Sequence, residues 1–290
     1  MIRIQYADLE SKIEERLPKW YSSTANERWK VLKPLLLELQ HGKCSFCERY
    51  LGTIKDSVTQ ASHGYEKAVE HYRPKGTVRS WSPPENWPEQ LPPFDSWEPG
   101  YEWLQFEPMN FSVSCLTCNQ TYKGSYFPIR GPLSQEQYQS MPSPVLLEQE
   151  NPYLIFPVEN GDLPGADPER LISFEGWNPI PHPRLDFGSH DYWRARVTIE
   201  LLGLRNEFLA KERQERIVNL AQHWALTEHW SLNTDWVEKE HSKHPHANCT
   251  RRYLEACRKM PQVAKSIALE ACEALDDQQA RKIIARFWSS

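Results

Sequence analysis

No stretch of this chain approaches the twenty consecutive apolar residues of a membrane span, mean hydropathy is −0.69, and residues 1–10 lack the profile of a secretory signal. Those absences predict a soluble, cytoplasmic protein with no membrane partner. An excess of basic residues is missing too. The formal net charge is −5, which argues against indiscriminate coating of nucleic acid, because that affinity comes largely from Lys and Arg displacing counterions. Any nucleic-acid contact must therefore be local. Internal repeats and low-complexity tracts are absent, and seven cysteines suit a reducing compartment better than a disulfide framework. What remains, 290 residues with a 39% hydrophobic fraction, is enough for one large core or two modest ones.

The chain does have two Cys-x-x-Cys pairs, Cys44/Cys47 and Cys115/Cys118, separated by sixty-seven residues. The dipeptide Glu70-His71 lies between them and Asn119 directly follows the last cysteine. A thiolate site for Zn2+ needs four soft ligands at the corners of a tetrahedron, and each knuckle supplies two from one tight turn. Two knuckles together point to one closed four-cysteine site whose loop carries an inserted segment. The competing readings are two redox dithiols or four buried apolar cysteines, but no strand-helix-strand pattern of the redox kind flanks either pair. Cys257 and Cys272 read as core thiols.

Leu9, Ile13 and Leu17 recur at a spacing of four, predicting a helix over 7–17 that ends near Pro18. A second helix follows, with Trp29, Leu32, Leu35, Leu36 and Leu39 as its apolar stripe, Pro34 as a kink and Gly42 as its stop. Its expected role is to pack on the first and hold the Cys44–Cys47 turn. Between Ser80 and Gly100, six prolines and the tryptophans Trp81, Trp87 and Trp97 show neither helical nor alternating periodicity. Proline forbids ladder hydrogen bonds and tryptophan needs burial, which predicts an irregular loop across the metal-binding core. Those rings suit stacking on single-stranded bases as well, with scaffold packing preferred.

Prolines recur between 128 and 183, where extended chain and short strands such as Tyr153 to Val158 are expected. Ser189 caps a helix in which Trp193, Val197 and Leu201 recur every fourth position and Gly203 breaks the run. The next helix starts near Asn206. Phe208, Leu209, Ile217, Leu220, Ala221 and Trp224 form its apolar side, and the charges from Lys211 to Arg216 face water. Further helices cover 247–259, 262–274 and 276–288. The fold class is α+β, mostly helical, organised as a helical brace over 1–40, a zinc-stapled core over 41–130, a Pro-rich connecting segment over 131–188 and a helical region over 189–290.

Inside the clasp the sequence reads Val69-Glu70-His71-Tyr72-Arg73-Pro74-Lys75, then Asn110-Phe111-Ser112-Val113-Ser114-Cys115-Leu116-Thr117-Cys118-Asn119, and finally Lys123-Gly124. An imidazole of unperturbed pKa about 6.5 is mostly neutral at cytosolic pH and can accept a proton. A carboxylate and a carboxamide are hard oxygen donors suited to Mg2+ or Mn2+. The order of these residues resembles the HNH nuclease family. The resemblance implies a ββα-metal core over 41–130 gripping one divalent ion, with His71 as the general base and Glu70 and Asn119 as ligands of Mg2+ or Mn2+. Asn110 would orient the loop bearing His71, and Lys75 and Lys123 are candidate contacts to backbone phosphates. Neighbouring side chains on a strand face opposite ways, so Glu70 and His71 share a site only where the strand ends, an ending that Pro74 supports.

Within that family, His71-Tyr72-Arg73-Pro74-Lys75, Tyr101-Glu102-Trp103-Leu104, Asn110-Phe111 and Lys123-Gly124 leading to Phe127-Pro128 resemble the PtuB-type HNH subunits of Septu-type and retron-associated anti-phage defence systems. The likeness covers 40–130 and, more weakly, 190–216. It implies an endonuclease that hydrolyses nucleic-acid phosphodiester bonds, DNA favoured, as the effector beside an ABC/SMC-type ATPase of the PtuA kind. RNA, tRNA included, is the alternative substrate. A non-catalytic zinc-stabilised module that binds nucleic acid or a partner is the alternative role. The long insertion between His71 and Asn110 departs from generic HNH proteins, so their substrate placement does not carry over.

Basic side chains gather at Lys67, Arg73, Lys75 and Arg79, divided between phosphate contacts and solvated faces. The group Arg251, Arg252, Arg258 and Lys259 reads as solvated. His241, His244, His246 and Cys249 are irregularly spaced and read as surface histidines rather than a second metal site.

Overall fold

The two-residue strand β1 (Ile4–Gln5) pairs in parallel with β4 (Val158–Glu159). Helix α1 (Ala25–Leu39) follows, burying Val31, Leu32, Leu35 and Leu36 on one face and carrying Pro34 within it. It stops at Gly42, whose φ of +67° suits a residue without Cβ and whose N–H donates to Leu37 O at 2.7 Å. The helix expected over 7–17 lies outside the described residues. In this computed structural model those are 4–5, 25–52, 67–85, 87, 92–107, 110–140, 147–156, 158–159, 167–226 and 243–288.

Helix α1 packs on an antiparallel hairpin of β2 (Lys67–His71) and β3 (Phe111–Cys115), in which Val69 faces Val113 and His71 faces Phe111. Gln40, just past the helix, fixes that docking. Its buried amide donates to Lys43 O and Val113 O and accepts from Val113 N–H, at 2.7–2.8 Å. The Cys44–Cys47 turn is thus held by a polar clamp on the sheet. Every residue of β3 is buried, and a π-helical segment, Thr117–Lys123, follows it. Strand, strand and helix therefore succeed one another in chain order.

The chain divides into two compact units, one of 1–172 with 181–203 and one of 173–180 with 204–290. In the first, the Pro- and Trp-rich insertion is irregular and packs through its rings. Trp81 meets Phe94 edge-on, Trp87 stacks on Trp193, and Trp97 stacks on Tyr138 at 3.7 Å. Scaffold packing thus accounts for these three rings. The chain beyond it contributes buried Leu147, Tyr153, Leu154 and Ile155 to the same unit. The strand expected over Tyr153 to Val158 is mostly irregular; only Val158–Glu159 is strand. Within this segment Ile155 N–H bonds the hydroxyl of Thr198 at 2.9 Å in place of a ladder partner. Short helices α2 (Gln135–Gln139) and α3 (Pro168–Leu171) lead to α4 (His190–Leu201), whose first turn is capped by Ser189.

The second unit holds most of the hairpin β5 (Ile172–Glu175) and β6 (Asn178–Pro181), and the helices α5 (Glu207–Leu226), α6 (Ala247–Lys259), α7 (Pro261–Ala274) and α8 (Gln278–Phe287). Their shared core includes Ile217, Ala221, Leu254, Ala268 and Ile284, with Cys257 and Cys272 among it as expected of core thiols.

Two expectations for α5 are corrected. Phe208 is 76% exposed, and Arg213 is buried. Helical geometry explains both: the buried stripe runs Leu209, Arg213, Ile217 and Ala221 in steps of four, and Phe208 falls off it. Arg213 donates from Nη1 to Leu204 O at 2.7 Å, and its guanidinium lies over the Phe174 ring. A third correction concerns the histidines. His244 is exposed but His246 is buried, 3.0 Å from Glu212 on α5, and Cys249 is buried as well; His241 lies outside the described residues.

The architecture is mixed α/β with helices the larger part, and no described helix is long and apolar enough to cross a membrane.

Candidate functional site

The four knuckle cysteines converge as the sequence predicts. Their sulfurs all lie within 4.8 Å of one another and all four residues are buried. Local backbone geometry produces this. Ser45 N–H donates to Val113 O, which ties the first knuckle to β3, and Glu48, at φ +64°, turns the chain after the second sulfur. Backbone N–H groups of Cys115 and Cys118 point at the sulfurs of Cys44 and Cys115, each at 3.4 Å.

Zinc–sulfur bonds of about 2.3 Å in a tetrahedron place sulfurs about 3.8 Å apart, and Cys47 Sγ is 3.9 Å from Cys115 Sγ. The cluster therefore fits a zinc ion. Hydrogen bonds from Cys118, Cys44 and Cys47 drive the Cys115 thiol far below its ordinary pKa, while Cys47 and Cys118 are driven up. One thiolate is thus favoured among neighbouring thiols, and a bound dication would favour ionisation of the others.

Adjoining this clasp is a cleft of about 280 Å3 lined by Glu70, His71, Lys75, Asn119, Lys123 and Gly124, among others. Strand β2 ends at His71, so Glu70 and His71 reach the same cleft from neighbouring positions. Asn119 comes from the first turn of the π-helical segment, and its carbonyl accepts from Gly124 N–H at 2.8 Å. Gly124 itself is at φ +49°, and a Cβ there would stand 2.5 Å from an Arg79 nitrogen.

The ring of His71 meets Phe111 edge-on, with centroids 5.1 Å apart, and Nε2 lies 3.2 Å from Gln105 O. A carbonyl only accepts, so this contact places the proton on Nε2 and makes Nδ1 the acceptor nitrogen. Burial pushes the pKa of His71 down to about 4, assisted by Lys75 and Lys123, against the opposing hydrogen bond to Gln105. The ring is neutral at physiological pH.

Asn110 is buried and grips the turn after β2. Its Oδ1 accepts from Arg73 N–H at 2.7 Å, and its Nδ2 donates to Arg73 O at 2.9 Å and Leu104 O at 3.3 Å.

The basic residues separate sharply. Lys75 is exposed at the cleft edge. Lys123 is placed differently from a phosphate contact in solvent: its side chain is 1% exposed, with Nζ 2.7 Å from Glu70 Oε1 and 2.9 Å from His71 O. Burial raises the Glu70 pKa, and Lys123 opposes that rise. Arg73 is buried, bonded to Glu148 at 3.1 Å and Glu150 at 3.3 Å, while Arg79 stacks over Tyr126 on the surface. Lys67 donates to Leu51 O at 2.8 Å.

Sequence reading missed three supports of this site. Gln105 acts through its carbonyl, which any residue type offers. Gln40 acts from beyond a helix end. Glu150 accepts from Arg73, from Tyr101 at 2.7 Å and from Tyr138, and only the fold brings these together. Among the described residues, the cysteines form the one grouping of three or more His, Cys, Asp or Glu that could hold a metal.

No protein-family model matches the chain. A stretch of 98 residues, 34% of this chain and 26% of the relative's length, is 34% identical to Septu protein PtuB of Bacillus mycoides (strain KBAB4), a protein to which this chain is similar.

Proposed function

We propose that this protein is a metal-dependent endonuclease of the HNH kind, hydrolysing phosphodiester bonds of nucleic acid with DNA favoured. On this reading it is the effector of an anti-phage defence complex, beside an ATPase of the PtuA kind. The observation that carries the reading is that Glu70, a neutral His71 and Asn119 line one cleft beside a four-cysteine clasp. Similarity to PtuB supports the defence role.

The residues divide the work. His71, with its proton fixed on Nε2 by Gln105, accepts a proton at Nδ1 from the water that attacks phosphorus. Glu70 and Asn119 offer two hard oxygens, a donor set that fits Mg2+ or Mn2+ because such ions keep several waters and take further ligands from phosphate. When bound, the ion would neutralise charge on the phosphate and on the leaving 3′ oxygen. Asn110 holds the turn after His71. Lys75, exposed at the rim, meets a backbone phosphate as a point charge. Zinc in the clasp would fasten the turn after α1 to the end of β3 and the start of the helical segment, and would take no part in the chemistry.

The test incubates the protein, alone and with the ATPase partner, with supercoiled plasmid and with tRNA, in Mg2+, Mn2+ or chelator. Metal-dependent plasmid nicking is the expected result. Cleavage of tRNA with plasmid spared selects the RNA-cutting alternative, and no cleavage of either substrate leaves a non-catalytic zinc module.

A further inference from the structure

Lys123 is the one lysine side chain of the cleft withdrawn from solvent, and it contacts both residues at the end of β2. Its ammonium lies 2.7 Å from Glu70 Oε1 and 2.9 Å from His71 O, with 1% of the side chain exposed. An ammonium so placed must recover its lost hydration from those acceptors. It therefore ties the helix after the second knuckle to the strand end that carries the candidate base and the candidate ligand. A mobile surface contact to phosphate would do neither.

We propose that Lys123 is a positioning residue of the cleft: it holds Glu70 by one oxygen, leaving the other to meet a divalent cation, and fixes the strand end from which the His71 ring projects. Its catalytic consequence rests on the nuclease reading above. The same geometry gives the residue two opposed effects. A positive charge sharing the Glu70 carboxylate repels any dication that binds there, so Lys123 weakens the cation's hold while aiming its ligand. Removing the ammonium should tighten Mn2+ binding by on the order of tenfold. Cleavage at saturating Mn2+ should fall by on the order of tenfold, since neither the carboxylate nor the strand end is then held. A residue that merely supported the fold would not move these two quantities in opposite directions.

Lys123→Met, which keeps the aliphatic stem, is compared with wild type by Mn2+ titration under electron paramagnetic resonance on zinc-loaded protein, alongside cleavage assays. Tighter Mn2+ binding with slower cleavage supports the proposal. Unchanged or weaker Mn2+ affinity at normal zinc content overturns it, as does unchanged cleavage where wild type cuts. If the variant does not fold, the wild type decides. Protein labelled with 15N-lysine should show, besides the likewise buried Lys43, an ammonium protected from solvent exchange whose resonance shifts on adding Mg2+; if no protected signal responds to Mg2+, the assignment is overturned. Tighter Mn2+ binding with no cleavage by wild type leaves Lys123 in place and removes the nuclease reading instead.

Discussion

Asn110 and Arg73 are joined by a reciprocal pair of hydrogen bonds, Arg73 N–H to Asn110 Oδ1 at 2.7 Å and Asn110 Nδ2 to Arg73 O at 2.9 Å. One side chain thereby replaces the ladder partner that the backbone loses where β2 ends, and holds the turn that follows His71. Asn110→Asp keeps the acceptor but sets a carboxylate oxygen against the Arg73 carbonyl. Stability should fall by about 1–3 kcal/mol in urea denaturation, with cleavage reduced and zinc content unchanged.

Arg73 extends the same support inward. Its guanidinium meets Glu150, which is fully buried and also accepts from Tyr101 and Tyr138. Arg73→Ala strands that carboxylate in the interior. Destabilisation of about 3–5 kcal/mol is expected, and the double variant Arg73→Ala/Glu150→Gln should recover part of it. Equal urea midpoints for the two variants would show that the pair is not coupled.

The zinc clasp makes a separate prediction. Cys115→Ser removes one of the four clustered sulfurs. Zinc content should fall, with the loss of on the order of 10 kcal/mol that structural Zn2+ can contribute. Metal analysis and thermal melting check this, and an intact zinc stoichiometry with unchanged melting would argue against a four-thiolate site.

For His71 the sign of the pH effect follows from its depressed pKa of about 4, against about 6.5 in an unfolded chain. Between those values the unfolded state binds a proton that the folded state does not. Stability from the neutral ring is therefore complete above pH ~6.5 and drains away as pH falls towards 4. Urea midpoints measured across that window should decline, and His71→Gln should flatten the decline. The acid limb of cleavage should lie below that of an ordinary histidine base, with Glu70, whose pKa burial raises, contributing to it.

The elements most legible in the sequence were those fixed by local chemistry. Paired knuckles, the Ser189 cap, the Gly42 stop and the fourfold spacing of Trp193, Val197 and Leu201 each leave a mark within a few residues. Tertiary contacts left none. Arg213 sits on a buried stripe although its charge argues for water, because a carbonyl and an aromatic face receive it. His246 is buried because Glu212 on another helix meets it. In the candidate site, the residue types and their order were readable. That Lys123 turns inward to Glu70, and that the Gln105 carbonyl bonds Nε2 of the His71 ring, are contacts between residues far apart in the chain and leave no local mark.

The nuclease role of His71 is tested most directly by single-turnover cleavage of plasmid DNA and tRNA in Mn2+ by wild type and His71→Ala, with zinc content and melting temperature measured on both. Metal-dependent cleavage by wild type is expected, with a loss of at least about a hundredfold in the variant and with zinc and melting retained. Equal rates for the two proteins, or no cleavage by wild type of either substrate, would contradict it.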